Sequence, residues 1–396
     1  MTVYIRRPVL DVRINGGSVA NVLSANCRFD FNQRVSRASF ITYTDPGGGN
    51  DDDVEIRGGV DGSGQEGTLR FKGVIRGRQF TNNPQRCETI CYGYLQRALE
   101  YENWEDNTFL PIGGLDIFSL TGTQPDTAAN IVTAVLDRCN IPGGLYGGHI
   151  SSTSTLYGEL AIEAFIWTNG RNTTNPDLYD AGETALAFIE RFDEIDAVFT
   201  GSGGGRYRTF ETLGGNIYRF LVGGRPRDNA DTFGRTNTFT QGQDVLSADF
   251  QRSTTNVKTY FLVTGYDSGH GLGPVFFPAD GDPGFGGSGK KTYRYSNPMI
   301  ERAHDSDIGN GMSCQTLANS LSLDYNRELV TGSLTTFLDD PFGPAQTHTV
   351  LLPDHGISEP LWVQGVEISI DNRGFRQRIS YLGGGSPDGW LPDPPG

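Results

Sequence analysis

Cysteine is scarce and irregularly placed. Five residues stand at 27, 87, 91, 139 and 314, with no close Cys-x-x-Cys pair. An odd, sparse set of this kind predicts buried free thiols kept in a reducing compartment. Five histidines, at 149, 270, 304, 348 and 355, form no HExxH, no finger spacing and no His-x-His pair. There is no GxSxG, so no nucleophile elbow is expected. GSGGG at 201–205 lacks the Lys-Ser or Lys-Thr that reaches a phosphate, and GFGGSGKKT at 284–292 puts Lys291 where the hydroxyl should stand. No apolar run approaches the length of a membrane span, and MTVYIRRPVLDV has no apolar core of signal-peptide length. Folding in the cytoplasm is therefore expected. Positive charge is also in deficit: 32 Lys plus Arg against 47 Asp plus Glu give a net charge of −15. Bulk attraction to nucleic acid is excluded. No catalytic residue, cofactor or metal is predicted, although spacing alone does not exclude a hydrolase that gathers distant groups.

What is present is a β-rich pattern organised around residues 68–94, TLRFKGVIRGRQFTNNPQRCETICYGY. Leu69, Phe71 and Ile75 alternate with Arg70, Lys72, Arg76 and Arg78, the period of a half-buried strand. Asn82-Asn83-Pro84 reads as a turn, and Cys87, Ile90, Cys91 and Tyr92 return. A second hairpin, WVQGVEISIDNRGFRQRISYLGG at 362–384, repeats this one. Gly73-Val74 matches Gly365-Val366, Asn83 matches Asn372, and Ile90 and Tyr92 match Ile379 and Tyr381. Two β-domains of one ancestry are predicted, and 396 residues suit two to four domains.

The predicted divisions are a first β-domain over 1–95, an α+β insert over 96–250, a second β-domain over 251–384 and a loose Pro/Gly tail over 385–396. In the first, Val9 to Ile14, Cys27-Phe29-Phe31, Ala38-Phe40-Thr42 and Val54 to Ile56 are strands. Such a set builds a barrel or a sandwich. In the insert, Ala128, Ile131, Val132, Val135 and Leu136 space a helix that Asp126 or Thr127 caps. Asp180 and Glu183 open another through Leu186, Ile189 and Phe192. Tyr207 to Glu211 and Ile217 to Val222 are strands. Val257 to Val263 is expected to open the second β-domain. A long loop over 266–289 follows, with Phe276-Phe277 exposed and ordered against a partner. A helix on Cys314, Leu317, Ala318 and Leu321, capped by Ser313, leads to strands at 329–338 and 348–352 and the closing hairpin.

Several clusters invite chemistry and are explained more simply. Asn50 to Asp53 and Asp280-Gly281-Asp282 offer carboxylates to calcium but do not fit a twelve-residue loop and read as acidic turns. HDSDIGN at 304–310 reads as a solvated turn. Asp193, Glu194 and Asp196 read as a helix exit rather than a glycosidase pair. The cleaner signal is basic alternation: Arg70, Lys72, Arg76 and Arg78 on one strand face, Arg376 and Arg378 on the returning strand of the second hairpin. In an acidic protein these strips are candidate contact surfaces for acidic neighbours. Solvated strand faces would look the same.

The order of these segments resembles that of bacteriophage tail hub, or baseplate hub, proteins. The resemblance rests on the hairpin at Phe71 to Ile75, ALAFIERF at 185–192, TTNVKTYFLVTG at 254–265 and VQGVEISI at 363–370, and it spans nearly the whole chain. It implies a fold that is mainly β, with two tail-tube-like antiparallel β-barrel domains flanking a central α+β region. It also implies a structural role at the virion tail tip. Three chains would form a pseudo-sixfold ring that closes the tail tube and adapts it to a threefold spike or fibre. The implied partners are a second and third copy of the chain, a tail-tube or distal tail protein, a spike or central fibre, and a tape-measure protein. DNA would cross the lumen without specific binding. The 266–289 loop and the Pro-rich tail depart from that pattern. Two other classes remain: a receptor- or carbohydrate-binding tip protein using Trp104, Trp167, Tyr293 and Tyr295, and a cell-wall hydrolase.

Overall fold

A computed structural model describes residues 7–82, 85–101, 132–133, 135–137, 139–141, 184–187, 189–190, 193, 206–222, 237–253, 258, 260–266, 275–277, 292–301, 314 and 329–383. The first seven strands are β1 (Pro8–Ile14), β2 (Gly17–Ser18), β3 (Val22–Asp30), β4 (Arg37–Thr42), β5 (Asp53–Val60), β6 (Leu69–Asn82) and β7 (Gln85–Tyr92), followed by helix α1 (Leu95–Glu100). Next come β8 (Arg206–Glu211), β9 (Ile217–Val222), β10 (Thr238–Thr240), β11 (Val245–Ser253), β12 (Tyr260–Tyr266), β13 (Val275–Phe277) and β14 (Thr292–Glu301). The last four are β15 (Leu329–Thr336), β16 (Thr347–Leu352), β17 (Ile357–Asp371) and β18 (Gly374–Gly383). The expected mainly-β, mostly antiparallel class is borne out.

The strands follow from alternation. In β3, Cys27 and Phe29 are buried while Arg28 points out, and in β4 Ala38, Phe40 and Thr42 face the same interior. β1 turns into β2 over Asn15-Gly16, both at positive φ (49° and 81°). That is the backbone a two-residue hairpin needs and Asn-Gly supplies. Within the central region, Val132, Val135, Leu136, Ala185, Leu186 and Ile189 are helical and buried, as their spacing predicts. The predicted caps at Asp126 and Asp180 lie outside the described residues.

The two hairpins belong to one 13-stranded sheet, ordered β11-β15-β18-β17-β3-β4-β7-β6-β5-β1-β2, with β10 and β16 attached beside β17. The join is β17 against β3, antiparallel, from Gly365 opposite Asp30 to Ile370 opposite Ala25. One core runs through both halves: Val12, Phe29, Phe40, Val54 and Phe71 pack in the same cluster as Val350, Val363, Ile368, Phe375 and Ile379. β5 curls over the end of β17. A Cβ at Gly58 would stand 2.7 Å from Ile370 Cδ1.

Three expectations are corrected. The C-terminal strands begin at Thr238 rather than Val257, since β10 and β11 pair with β16 and β15. Tyr260–Tyr266 instead enters a separate three-stranded sheet with β13 and β14. And the 266–289 segment is not wholly loop, because Val275–Phe277 is a strand on β12.

A structural repeat is present, in a register that differs from the one the glycines suggest. β6 bulges between Ile75 and Gly77 against β7, and β17 bulges between Val363 and Gly365 against β18. Ile75-Arg76-Gly77 therefore corresponds to Val363-Gln364-Gly365, and Cys91 to Tyr381. The match extends outward. Cys91 sits opposite Ala38 and Tyr381 opposite Gly332, so β4 corresponds to β15. β3 reads VLSAN and is bulged between Val22 and Ser24, while β11 reads VLSAD and is bulged between Val245 and Ser247. On the other side, Val54 opposite Gly73 corresponds to His348 opposite Leu361, so β5 corresponds to β16. Five strands and two bulges thus recur at one consistent register. Bulges are built features of a fold rather than defects, so their recurrence marks equivalent positions.

Candidate assembly interface

The basic strip on β6 is the first predicted surface, and the structure breaks it up. Opposite β5, Ile56 pairs with Phe71 but Arg57 pairs with Leu69, which leaves Arg70 as an extra residue. A bulge re-aims its side chain. Arg70 accordingly lies fully buried, on the inner side with Phe71, not on an outer face. Its Nε donates to Gly58 O at 2.7 Å and its terminal nitrogens donate to Asp339 O and Asp340 O. Its guanidinium stands 5.0 Å from the Phe375 ring centroid. Burial lowers its pKa to about 10, with Asp339 and Asp340 acting against the shift. It remains cationic at neutral pH and clamps the first half of the sheet to the segment after β15.

The other members divide. Lys72 faces out, 3.7 Å from Glu55. Arg76, the bulged residue, is mostly covered and binds Asp51 and, at 2.7 Å, Glu100. Arg78 stands opposite buried Thr89 and donates to Gly47 O and Gly48 O. Arg376 and Arg378 do share the outer face of β18. Arg376 is 4.0 Å from Asp371, and Arg378 Nε donates to Ser333 Oγ at 3.2 Å. Arg378 borders a shallow hollow of about 270 Å³ over the β3–β17–β18 join, with Arg28, Asp30 and Glu367. Phe276 and Phe277 stand opposite Leu262 and Phe261 in the β12–β13 ladder.

The join itself has two faces. Inside, Val366, Ile368 and Ile370 meet Phe29, Cys27 and Ala25, all buried. Outside, Asn26 Nδ2 donates to Glu367 Oε1 at 2.9 Å and to Ser369 Oγ at 3.2 Å. At its start the strands approach closely, since a Cβ at Gly365 would lie 2.9 Å from Phe29 O.

Two buried polar centres fix neighbouring elements. Glu211, at the end of β8, accepts from Ser36 N, Ser36 Oγ and Leu95 N at 2.8, 2.8 and 2.7 Å. It ties the β8–β9 hairpin to the loop before β4 and to α1. Burial raises its pKa to about 7, restrained by those hydrogen bonds. His348 lies between Tyr381 Oη (2.7 Å) and Gln346 Oε1 (3.2 Å), and burial lowers its pKa to about 3. Phe31 packs edge to face on Trp362, with centroids 4.7 Å apart, and tilted on Phe210 at 5.0 Å. Glu211 and His348 are both buried. Among the described residues no cluster of three or more His, Cys, Asp or Glu is arranged to hold a metal. No helix among them is long and apolar enough to cross a membrane. Asp280, His304, Trp104 and Trp167 lie outside the described residues.

No protein-family model matches the chain, and no curated protein does. Solved structures do. A tail protein from Neisseria meningitidis MC58 matches over 98% of this chain and 99% of its own, with 11% identity and a TM-score of 0.60. The 43 kDa tail protein of prophage MuSo2 from Shewanella oneidensis matches over 98% and 99%, with 11% identity and a TM-score of 0.55. This chain has the fold of phage tail proteins.

Within that tail-protein fold, the β3–β11 correspondence escaped the residue-level reading. Its signal was present, as VLSAN at 22–26 and VLSAD at 245–249. The glycines of the hairpins drew the register instead.

Proposed function

We propose that this chain is a structural component of a phage-type tail tip, a hub in which three copies form a ring of six equivalent half-chains. The observation that carries the reading is the register-matched duplication. Two copies of one sheet unit in a chain convert threefold chain symmetry into sixfold unit symmetry, which is what a junction between a sixfold tube and a threefold spike requires. The role is mechanical, and no catalytic step is assigned.

One further feature supports sixfold presentation. Tyr43 follows Thr42 at the end of β4, and Phe337 follows Thr336 at the corresponding end of β15; they are 54% and 47% exposed. Large aromatics held out at equivalent places would recur six times around the ring, a rim suited to tail-tube subunits. A net charge of −15 suits a bore that must not retain DNA. Immunogold labelling of intact tails tests the proposal. Label confined to one end of the tail is expected, and label along the shaft or in the capsid overturns it.

A further inference from the structure

We infer that the outer edge of β11 in one chain pairs, antiparallel, with the Gly77–Asn82 half of β6 in the next copy, with Phe80 directly opposite Phe250. The inference takes its stoichiometry from the ring proposed above and its register from the duplication.

The derivation uses the one junction between halves that the chain already contains. There, the second half of β17 pairs with β3, Gly365–Ile370 against Asp30–Ala25. β17 corresponds to β6, so Gly365–Ile370 corresponds to Gly77–Asn82. β3 corresponds to β11, so Ala25–Asp30 corresponds to Ala248–Ser253. Among the described residues, β11 has a single strand neighbour, β15, and ends the sheet. Beyond Ile75, β6 is laddered among the described residues to β7 alone, because β5 stops opposite Val74. The chain therefore carries both halves of a second junction, β11 at one end of the sheet and the second half of β6 on the far side of β17, β3, β4 and β7, and the two are not paired with each other. Open edges of this kind are aggregation templates unless a partner covers them. A heterologous pair of edges that fit one another makes rings or filaments.

The side chains follow the same two-faced pattern. On the inner face, Ile368 opposite Cys27 becomes Phe80 opposite Phe250. Phe80 is 60% exposed in the single chain, although it lies on the side of β6 that faces the core. Phe250 is partly buried and stacks on Tyr381 at 6.2 Å. An aromatic pair across the strands would complete this layer. On the outer face, Glu367 opposite Arg28 becomes Gln79 opposite Gln251, two amides able to bond to each other. The register also sets Arg78 opposite Arg252, but each is engaged by a carboxylate of its own chain, Asp45 at 3.6 Å and Glu359 at 2.8 Å. Gly77 gives the most specific sign. Its counterpart Gly365 is pressed by the carbonyl of Phe29, whereas a Cβ at Gly77 would meet nothing within 4 Å. The glycine is in place, and the strand that would need it belongs to the neighbour.

Paired thiols test the register. Gln79→Cys combined with Gln251→Cys places two thiols directly opposite each other, within the Cα range that a disulfide spans. Gln79→Cys with Asp249→Cys, two residues out of register, is the control. Under mild oxidation the first variant is expected to give covalent trimers, and the control about tenfold fewer. Trimeric particles that do not cross-link at Gln79/Gln251, or that link better in the control, overturn the pairing and leave the hub reading standing. Cross-linked ladders without closed trimers support the pairing and overturn the ring. Monomers that fail to link even within assembled tails overturn both. Gly77→Val gives a second readout. It is expected to leave the melting of the monomer unchanged and to abolish ring assembly, and a variant that assembles as the parent does contradicts the inference.

Discussion

Arg70 makes the sharpest stability prediction, because it stands where the outward-facing strip was expected and is instead buried. Arg70→Met keeps most of the side-chain length and removes the guanidinium. Two buried carbonyls, Gly58 O and Asp339 O, lose a charged donor, while Asp340 O keeps Gln377 Nε2 at 2.7 Å. Each charge-assisted bond contributes about 1.5–3 kcal/mol net. Loss of the contact with Phe375 removes about 0.5–2 kcal/mol more. Relief of the guanidinium's own desolvation, several kcal/mol, offsets part of this. The balance is a destabilisation of about 2–4 kcal/mol. The orphaned carbonyls decide its sign, since methionine cannot donate to them. Arg70→Lys should lose about half as much, because a point charge reaches one carbonyl but not both. Urea unfolding followed by tryptophan fluorescence, to which buried Trp362 contributes, measures it. An Arg70→Met midpoint equivalent to less than about 0.5 kcal/mol of change would refute the clamp.

Other predictions follow from the same contacts. His348 has a folded pKa of about 3 against 6.5 unfolded, so the unfolded chain binds the extra proton and stability falls as pH drops below 6.5. Relative to His348→Gln, the parent should lose up to about 1.4 kcal/mol per pH unit between pH 6 and 4, read from denaturant midpoints. Glu211 has the opposite sign: its pKa of about 7 exceeds the unfolded 4.5, so its contribution is greatest below 4.5 and declines as pH rises through 7. Glu211→Gln should flatten that slope in the same assay. Gly93→Ala would drive a methyl into the Glu211 carboxylate and Ser36 Oγ, and should cost about 1–3 kcal/mol in a thermal melt. Trp362→Ala should cost about 3–5 kcal/mol and raise hydrogen exchange in β8 and β9, since Phe210 packs in the same cluster. Tyr43→Asp with Phe337→Asp should leave the ring intact and abolish its binding to tail-tube subunits in a sedimentation assay.

The fold was legible where side chains alternate. β3, β4, β7, β9 and β15 follow the period of two, and the buried helical residues at 132–136 and 185–189 follow their own spacing. The failures share a cause. A bulge shifts every later side chain by one face yet needs no particular residue, so Arg70 and Arg76 read as one strip although each falls at a break in the ladder. The same breaks displaced the hairpin alignment, because Gly73-Val74 resembles Gly365-Val366 while the ladder equates Gly77 with Gly365. The β3–β17 join brings Ala25 to Ile370, a pairing fixed by packing across the chain rather than by any local signal. Val257 to Val263 was recognisable as a strand, but nothing in its residues says which sheet it enters. Of the expected contact residues, Lys72, Arg376 and Arg378 keep an outward position, while the surfaces proposed for assembly, Phe80 and β11, carry little charge alternation to mark them.

The ring is the central claim, and particle mass with class averages of the purified chain, alone and on tail-tube ends, tests it most directly. The account predicts particles of three 43.1 kDa chains with a central opening and six lobes. A compact monomer that neither forms such particles nor seats on tube ends would contradict it.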